Sequence, residues 1–75
     1  MELTATEYRI LYYFATHAGL VITPAEILAE IWGEDAKGAD HLLTVNISRL
    51  RQKLKDDARE SRYIETLPGR GYRIK

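Results

Sequence analysis

Two short stretches hold most of the side chains able to do chemistry. The first is Thr44-Val45-Asn46-Ile47-Ser48-Arg49-Leu50-Arg51-Gln52-Lys53, where hydroxyl, amide and cationic groups interleave with aliphatic ones. The second is Thr66-Leu67-Pro68-Gly69-Arg70-Gly71, where a cation stands between two glycines. Guanidinium and ammonium donors beside hydroxyls suit the recognition of phosphates and base edges rather than the making of bonds. Candidates for catalysis are thin. His17 and His41 have no adjacent nucleophile or ligand set, cysteine is absent, and no Gly-rich phosphate loop opens a helix. The chain is not expected to be an enzyme, and no metal, cofactor or small-molecule ligand is expected.

Equal numbers of basic and acidic residues, 11 of each, give no net charge. At face value that opposes a nucleic-acid binder, but the distribution does not. Up to Asp40 only Arg9 and Lys37 are basic, against seven acidic residues. From His41 onward nine basic residues face four acidic ones, Asp56, Asp57, Glu60 and Glu65. One half of the molecule is therefore built to meet a polyanion. No apolar run is long enough to span a bilayer and no signal peptide opens the chain, so a soluble, cytoplasmic protein without membrane contact is expected.

At 75 residues there is room for one domain with one core, residues 1–75. Thr4-Ala5-Thr6-Glu7 reads as a capping box, with Leu3 and Tyr8 as its staple. Helix 1 is expected over 5–18, with Leu11, Phe14, Ala15 and Ala18 facing inward and Gly19 ending it. Thr23-Pro24-Ala25-Glu26 repeats the device for helix 2, from 24 to near Trp32, with Ile27, Leu28, Ile31 and Trp32 inward. Leu20-Val21-Ile22 has room for little beyond one strand-like step. Asp40 is the candidate N-cap of helix 3, whose apolar stripe is Leu43, Ile47, Leu50 and Leu54. Opposite it lie Thr44, Val45, Ser48, Arg49, Gln52 and Lys55. Asp56-Asp57 reads as a solvated helix end, and strands Tyr63–Leu67 and Tyr72–Ile74 flank a tight turn with Arg70 at its tip. Leu11, Phe14, Ile27, Leu28, Ile31, Leu43, Ile47, Leu50, Leu54 and Ile74 are the expected core.

The fold class is thus α+β, mainly helical: a winged helix-turn-helix of three helices followed by a C-terminal two-stranded β-hairpin wing. The chain also resembles the OmpR/PhoB-type output domains of two-component response regulators. The residues that carry the likeness are Leu3-Thr4-x-x-Glu7-Tyr8-x-x-Leu11, Gly19-x-Val21-x-Thr23, Leu28-x-x-Ile31-Trp32-Gly33, the string Val45-x-Ile47-Ser48-Arg49-Leu50-Arg51-x-Lys53-Leu54, and Ile64-x-Thr66-Leu67-x-Gly69-x-Gly71-Tyr72-Arg73. The resemblance implies sequence-specific binding of double-stranded DNA and transcription regulation, with helix 3 in the major groove and the wing at the minor groove or backbone. By position it gives Arg49 a base edge, Val45 a thymine methyl, and Asn46, Arg51 and Lys53 phosphates, with Trp32 and Thr66 as further backbone donors and Thr44, Ser48 and Arg70 completing the contact set. For Trp32 the competing role is core packing, and for Arg51 it is an ion pair within the domain.

Three departures matter. Thr44 and Asn46 replace the Asp and His of many relatives, so the target sequence is not carried over. Pro68 stands where many relatives place a minor-groove arginine, two residues before Arg70. The family's N-terminal four-stranded sheet has no residues here, so either the chain is an excised piece or the sheet is naturally absent. Apolar surface is then expected on helix 1, at Ile10, Tyr13 or Phe14. The resemblance further implies contact with RNA polymerase through the loop between helices 2 and 3, and a receiver domain in a longer parent chain if this is a fragment. The rival reading is a winged helix used only for protein contacts.

Overall fold

The computed structural model describes residues 2–56 and 63–74. The charged connector with Asp57, Arg59, Glu60 and Arg62, and also Lys75, lie outside the described residues. Helix α1 spans Ala5–Thr16. Its capping box forms as the sequence demands: Thr4 Oγ1 accepts from the Glu7 amide at 3.1 Å and Glu7 Oε1 accepts from the Thr4 amide at 2.8 Å. The staple does not close on Tyr8, whose ring is exposed. The helix ends two residues before the expected 18, because His17 leaves the helical conformation and its Nδ1 sits 2.8 Å from the Tyr13 carbonyl, serving a last-turn acceptor. Gly19, at φ 84°, then turns the chain.

Helix α2, Pro24–Ile31, starts with Pro at its first turn and the Thr23 hydroxyl accepting from the Glu26 amide at 3.1 Å. A 3-10 turn at Gly33–Ala36 leads to helix α3, Asp40–Leu54. Asp40 is not the N-cap. Ala39 takes that place without a side-chain cap because its methyl is buried in the core. Asp40 instead lies in the first helical turn, where a carboxylate favours the positive end of the helix dipole.

Strands β1, Ile64–Leu67, and β2, Gly71–Ile74, pair antiparallel with Ile64 opposite Ile74 and Leu67 opposite Gly71. Pro68 and Gly69 occupy the turn, closed by the Arg70 amide on the Leu67 carbonyl at 2.9 Å; Gly69, at φ 74°, supplies the positive φ of a type II turn. The strand-like step before α2 is real: Ile22 and Tyr72 exchange both backbone hydrogen bonds, at 2.7 and 2.9 Å. That close approach requires glycine at 71. A Cβ there would stand 2.1 Å from the Ile22 carbonyl oxygen, at φ 147°.

Ile10, Phe14, Ile22, Ile27, Leu28, Ile31, Ala39, Leu43, Ile47, Leu50 and Ile64 are buried together. Leu11, Leu54 and Ile74, expected in the core, are half-buried against it. On α1 the inward face is Glu7, Ile10 and Phe14, not the face carrying Ala15 and Ala18, which are exposed. Both registers satisfy a helical period, and alanine is too small to decide between them. The expected exposure of Ile10 and Phe14 is therefore corrected: both are fully buried, and Tyr13 is half-buried. The uncovered apolar groups on α1 are Tyr8 and Tyr12, 60 % and 61 % exposed, with rings stacked 6.3 Å apart.

Candidate nucleic-acid interface

Helix α3 is held from three directions, and what remains free is its polar face. Leu43, Ile47 and Leu50 anchor it to the core. Thr44, Ser48, Arg49 and Gln52 are exposed together on the other side, with Val45 half-buried beside them. At about 100° per residue these positions form one contiguous surface about two and a half turns long. Thr44 Oγ1 donates back to the Asp40 carbonyl at 3.2 Å, which leaves its lone pairs outward. Among the described residues Arg49 has no ion-pair partner.

The flanks of α3 are spoken for. On the side facing the hairpin, Arg51 Nη2 donates to the Ile64 carbonyl at 3.0 Å and also to the Thr66 hydroxyl oxygen. The competing role expected for Arg51 was an ion pair; its partners are instead neutral oxygens. On the side facing α1, Lys53 Nζ lies 2.5 Å from Glu7 Oε1. The Lys53 hydrogen bond and the Thr4 amide hold the Glu7 carboxyl below the usual glutamate range, outweighing the opposing effect of burial. Asn46 is buried and its Nδ2 donates to the Leu42 carbonyl at 2.7 Å. Burial, with the nearby charges of Glu26 and Glu30, raises the pKa of the Tyr13 phenol.

Asp56, expected at a solvated helix end, is half-buried. Its Oδ2 accepts from the Ile64 amide at 2.9 Å and the Tyr63 amide at 3.3 Å, tying the end of α3 to the start of β1. The only sequence signal was its place two residues past the last apolar residue of α3. Between α3 and the hairpin lies an open depression of about 400 Å³ lined by Thr44, Ile47, Ser48, Arg51, Gln52, Asp56 and Tyr72. Gln52 and Tyr72, absent from the expected contact set, thus border the same surface. Thr66 and Arg70 are exposed on the hairpin, and Trp32 packs half-buried against the core at the end of α2. The hairpin is braced on its other side by the cross-strand pair Arg73 and Glu65, with Nε 2.9 Å from Oε1.

The arrangement offers, among the described residues, donors and the guanidinium of Arg49 on a convex helix, with that of Arg70 at a turn tip, a surface suited to binding phosphates and base edges. Among the described residues no group of His and acidic side chains could hold a metal ion, and no helix is long and apolar enough to cross a membrane.

The sequence matches the family described as "Transcriptional regulatory protein, C terminal" over residues 1–74. It is 35 % identical over 74 residues to the alkaline phosphatase synthesis transcriptional regulatory protein PhoP of Bacillus subtilis, covering 99 % of this chain and 31 % of that protein. It is 41 % identical over 80 residues to protein PetR of Rhodobacter capsulatus, covering 99 % and 33 %. The chain spans about a third of the length of these relatives. Among solved structures, the DNA-binding domain of Klebsiella pneumoniae RstA in complex with the RstA box superposes with a TM-score of 0.87 at 36 % identity, over 97 % of this chain and 72 % of that one. The DNA-binding domain of CpxR from E. coli gives a TM-score of 0.79 at 38 % identity, over 99 % and 72 %.

Proposed function

We propose that this chain, which belongs to the family of C-terminal transcriptional regulatory domains of the OmpR/PhoB type, regulates transcription by laying the exposed face of α3 in the major groove of double-stranded DNA. It is a binding domain and not an enzyme. The observation that carries the reading is the exposed polar face of α3, with Arg49, which has no ion-pair partner among the described residues, at its centre, beside a hairpin that presents Thr66 and Arg70. The likeness to a DNA-binding domain solved in complex with its DNA box supports DNA as the partner.

Arg49 would pair with a guanine edge and Val45 would meet a thymine methyl. Ser48 would donate to a phosphate or a base edge, while the Thr44 hydroxyl, its proton engaged by the Asp40 carbonyl, would accept from a base amino group. Thr66 and the Trp32 indole N–H would donate to the backbone, and Arg70 would enter or border the minor groove. Asn46 and Lys53 each give one donor to an acceptor within the chain, the Leu42 carbonyl and the Glu7 carboxylate, and so have fewer protons left for a phosphate. The segment 33–39, with Glu34, Asp35 and Lys37 exposed, would face RNA polymerase, a role resting on family likeness. Control by a receiver domain in a longer parent chain follows from the same likeness.

Selection of duplexes from a random pool, followed by a salt titration, tests the reading. Enrichment of a common sequence, with log affinity falling linearly and steeply against log salt, is the expected result. Failure to retain any duplex at low salt, or an interaction indifferent to salt, overturns it in favour of protein contacts alone.

A further inference from the structure

Both backbone groups of Ile64 are held, one by a side chain of α3 and one by a residue just past its end. Its N–H donates to Asp56 Oδ2 at 2.9 Å and its carbonyl accepts from Arg51 Nη2 at 3.0 Å. Ile64 itself is fully buried. The start of β1 is thereby fixed to the C-terminal end of α3 by two side chains, Arg51 within the helix and Asp56 two residues beyond it. The same Arg51 Nη2 continues to the hydroxyl oxygen of Thr66, two residues further along the strand and exposed. Arg51 Nε is buried without a hydrogen-bond partner, so this guanidinium is turned inward under the hairpin rather than extended toward the groove.

A guanidinium only donates, so Thr66 Oγ1 can only be the acceptor in this contact. A threonine hydroxyl has one proton. With an oxygen lone pair already occupied by Arg51, that proton is left to point elsewhere, and Thr66 is exposed to solvent on that side. Phosphate oxygens only accept. The contact also places a positive charge one hydrogen bond behind the hydroxyl, which polarises the O–H and strengthens its donation. Without it the hydroxyl is free to turn toward its own backbone, as threonine commonly does.

Building on the DNA-binding reading, we propose that Arg51 is a positioning residue for the DNA backbone: it does not itself take a phosphate but orients the Thr66 hydroxyl to donate to one. The wing's backbone contact is thus set by a side chain of the recognition helix, so that groove reading and wing contact are adjusted together.

The test is a double-mutant cycle on a duplex recovered by the wild-type chain, with Thr66→Val, Arg51→Lys and the double variant, and thermal melts confirming that each is folded at the binding temperature. Arg51→Lys keeps the charge and so the counterion release, while removing the planar fork. Thr66→Val should weaken binding roughly tenfold, the worth of a hydrogen bond to a charged group. Arg51→Lys should weaken binding of the wild-type background to a similar extent and add nothing to Thr66→Val. Thr66→Ser, which restores the hydroxyl, should restore both affinity and sensitivity to Arg51→Lys. An Arg51→Lys loss that persists undiminished beside Thr66→Val overturns the proposal, since it would mark a direct contact or general damage to the wing. Wild-type affinity in Arg51→Lys overturns it as well. A wild-type chain that retains no duplex at all would instead overturn the DNA-binding reading itself, and this proposal with it.

Discussion

Lys53 Nζ stands 2.5 Å from Glu7 Oε1, and so joins the last turn of the recognition helix to the first turn of α1. The same carboxylate oxygen accepts from the Thr4 amide, so one atom both caps α1 and neutralises a lysine of α3. The Glu7 side chain has no exposed surface, whereas that of Lys53 is 33 % exposed. Removing the lysine leaves a buried carboxylate, one of whose oxygens already lacks a partner.

Lys53→Ala should therefore act on stability before it acts on DNA. Breaking a fully buried pair costs about 3–5 kcal/mol, and screening of the partly exposed ammonium reduces that to about 1–2 kcal/mol here. In a domain of this size the melting midpoint should drop by roughly 5–15 °C. At a temperature where both proteins are folded, the slope of log affinity against log salt should stay that of the parent. A slope lower by about one unit with an unchanged melt would instead make Lys53 a phosphate ligand.

The pH dependence follows from the same carboxylate. Its folded-state pKa is lowered by Lys53 and the Thr4 amide, so the ionised form stabilises the fold above the ordinary glutamate value of about 4.3, and this contribution is lost as pH falls through and below it. Denaturant unfolding of the wild type should show a stability advantage over Glu7→Gln at neutral pH that shrinks toward pH of about 3. An advantage constant across that window would mean that the ion pair does not form.

What was legible in the sequence is what local chemistry decides. Thr4 with Glu7, and Thr23 with Pro24 and Glu26, specify two helix starts within four residues each, and both form. The stripe of Leu43, Ile47 and Leu50 gives the inward face of α3 and hence its free face. Where the expectation failed, a distant partner decided. Glu7 and Lys53 are 46 residues apart, and no spacing rule links them. Asp56 finds its acceptors' partners across the connector, on Tyr63 and Ile64. Half-buried Arg51 likewise reaches a distant acceptor, the Ile64 carbonyl, whereas Asn46 donates only one turn back along its own helix, to the Leu42 carbonyl.

The two turn glycines should respond differently to alanine. At Gly69 a methyl would meet nothing within 4 Å, so only the positive φ of 74° is penalised, by about 1 kcal/mol. At Gly71 the methyl would also meet the Ile22 carbonyl oxygen at 2.1 Å and force apart the Ile22–Tyr72 bridge. Gly71→Ala should then cost on the order of 3 kcal/mol or more. Chemical denaturation of the two variants checks this, and equal losses would mean that the hairpin does not pack on the segment before α2.

Arg49 and Arg70 are both exposed cations, but they lie on different elements and should report different features of DNA. Arg49→Ala removes a donor fork from the middle of the α3 face. It should cost roughly 1–3 kcal/mol on the preferred duplex, much less on a scrambled one, and relax preference at one base pair. Arg70 sits exposed at the turn after Pro68 and Gly69, away from α3 along the chain, and in the proposed complex it would meet the minor groove. Arg70→Ala should therefore weaken binding most on sites flanked by narrow A·T tracts, where the minor-groove potential is strongest. Affinities on matched duplex pairs separate the cases. Equal losses on preferred and scrambled duplexes for Arg49→Ala would reduce α3 to a backbone clamp, because a base-edge contact is the only one of its contacts that can tell the two apart.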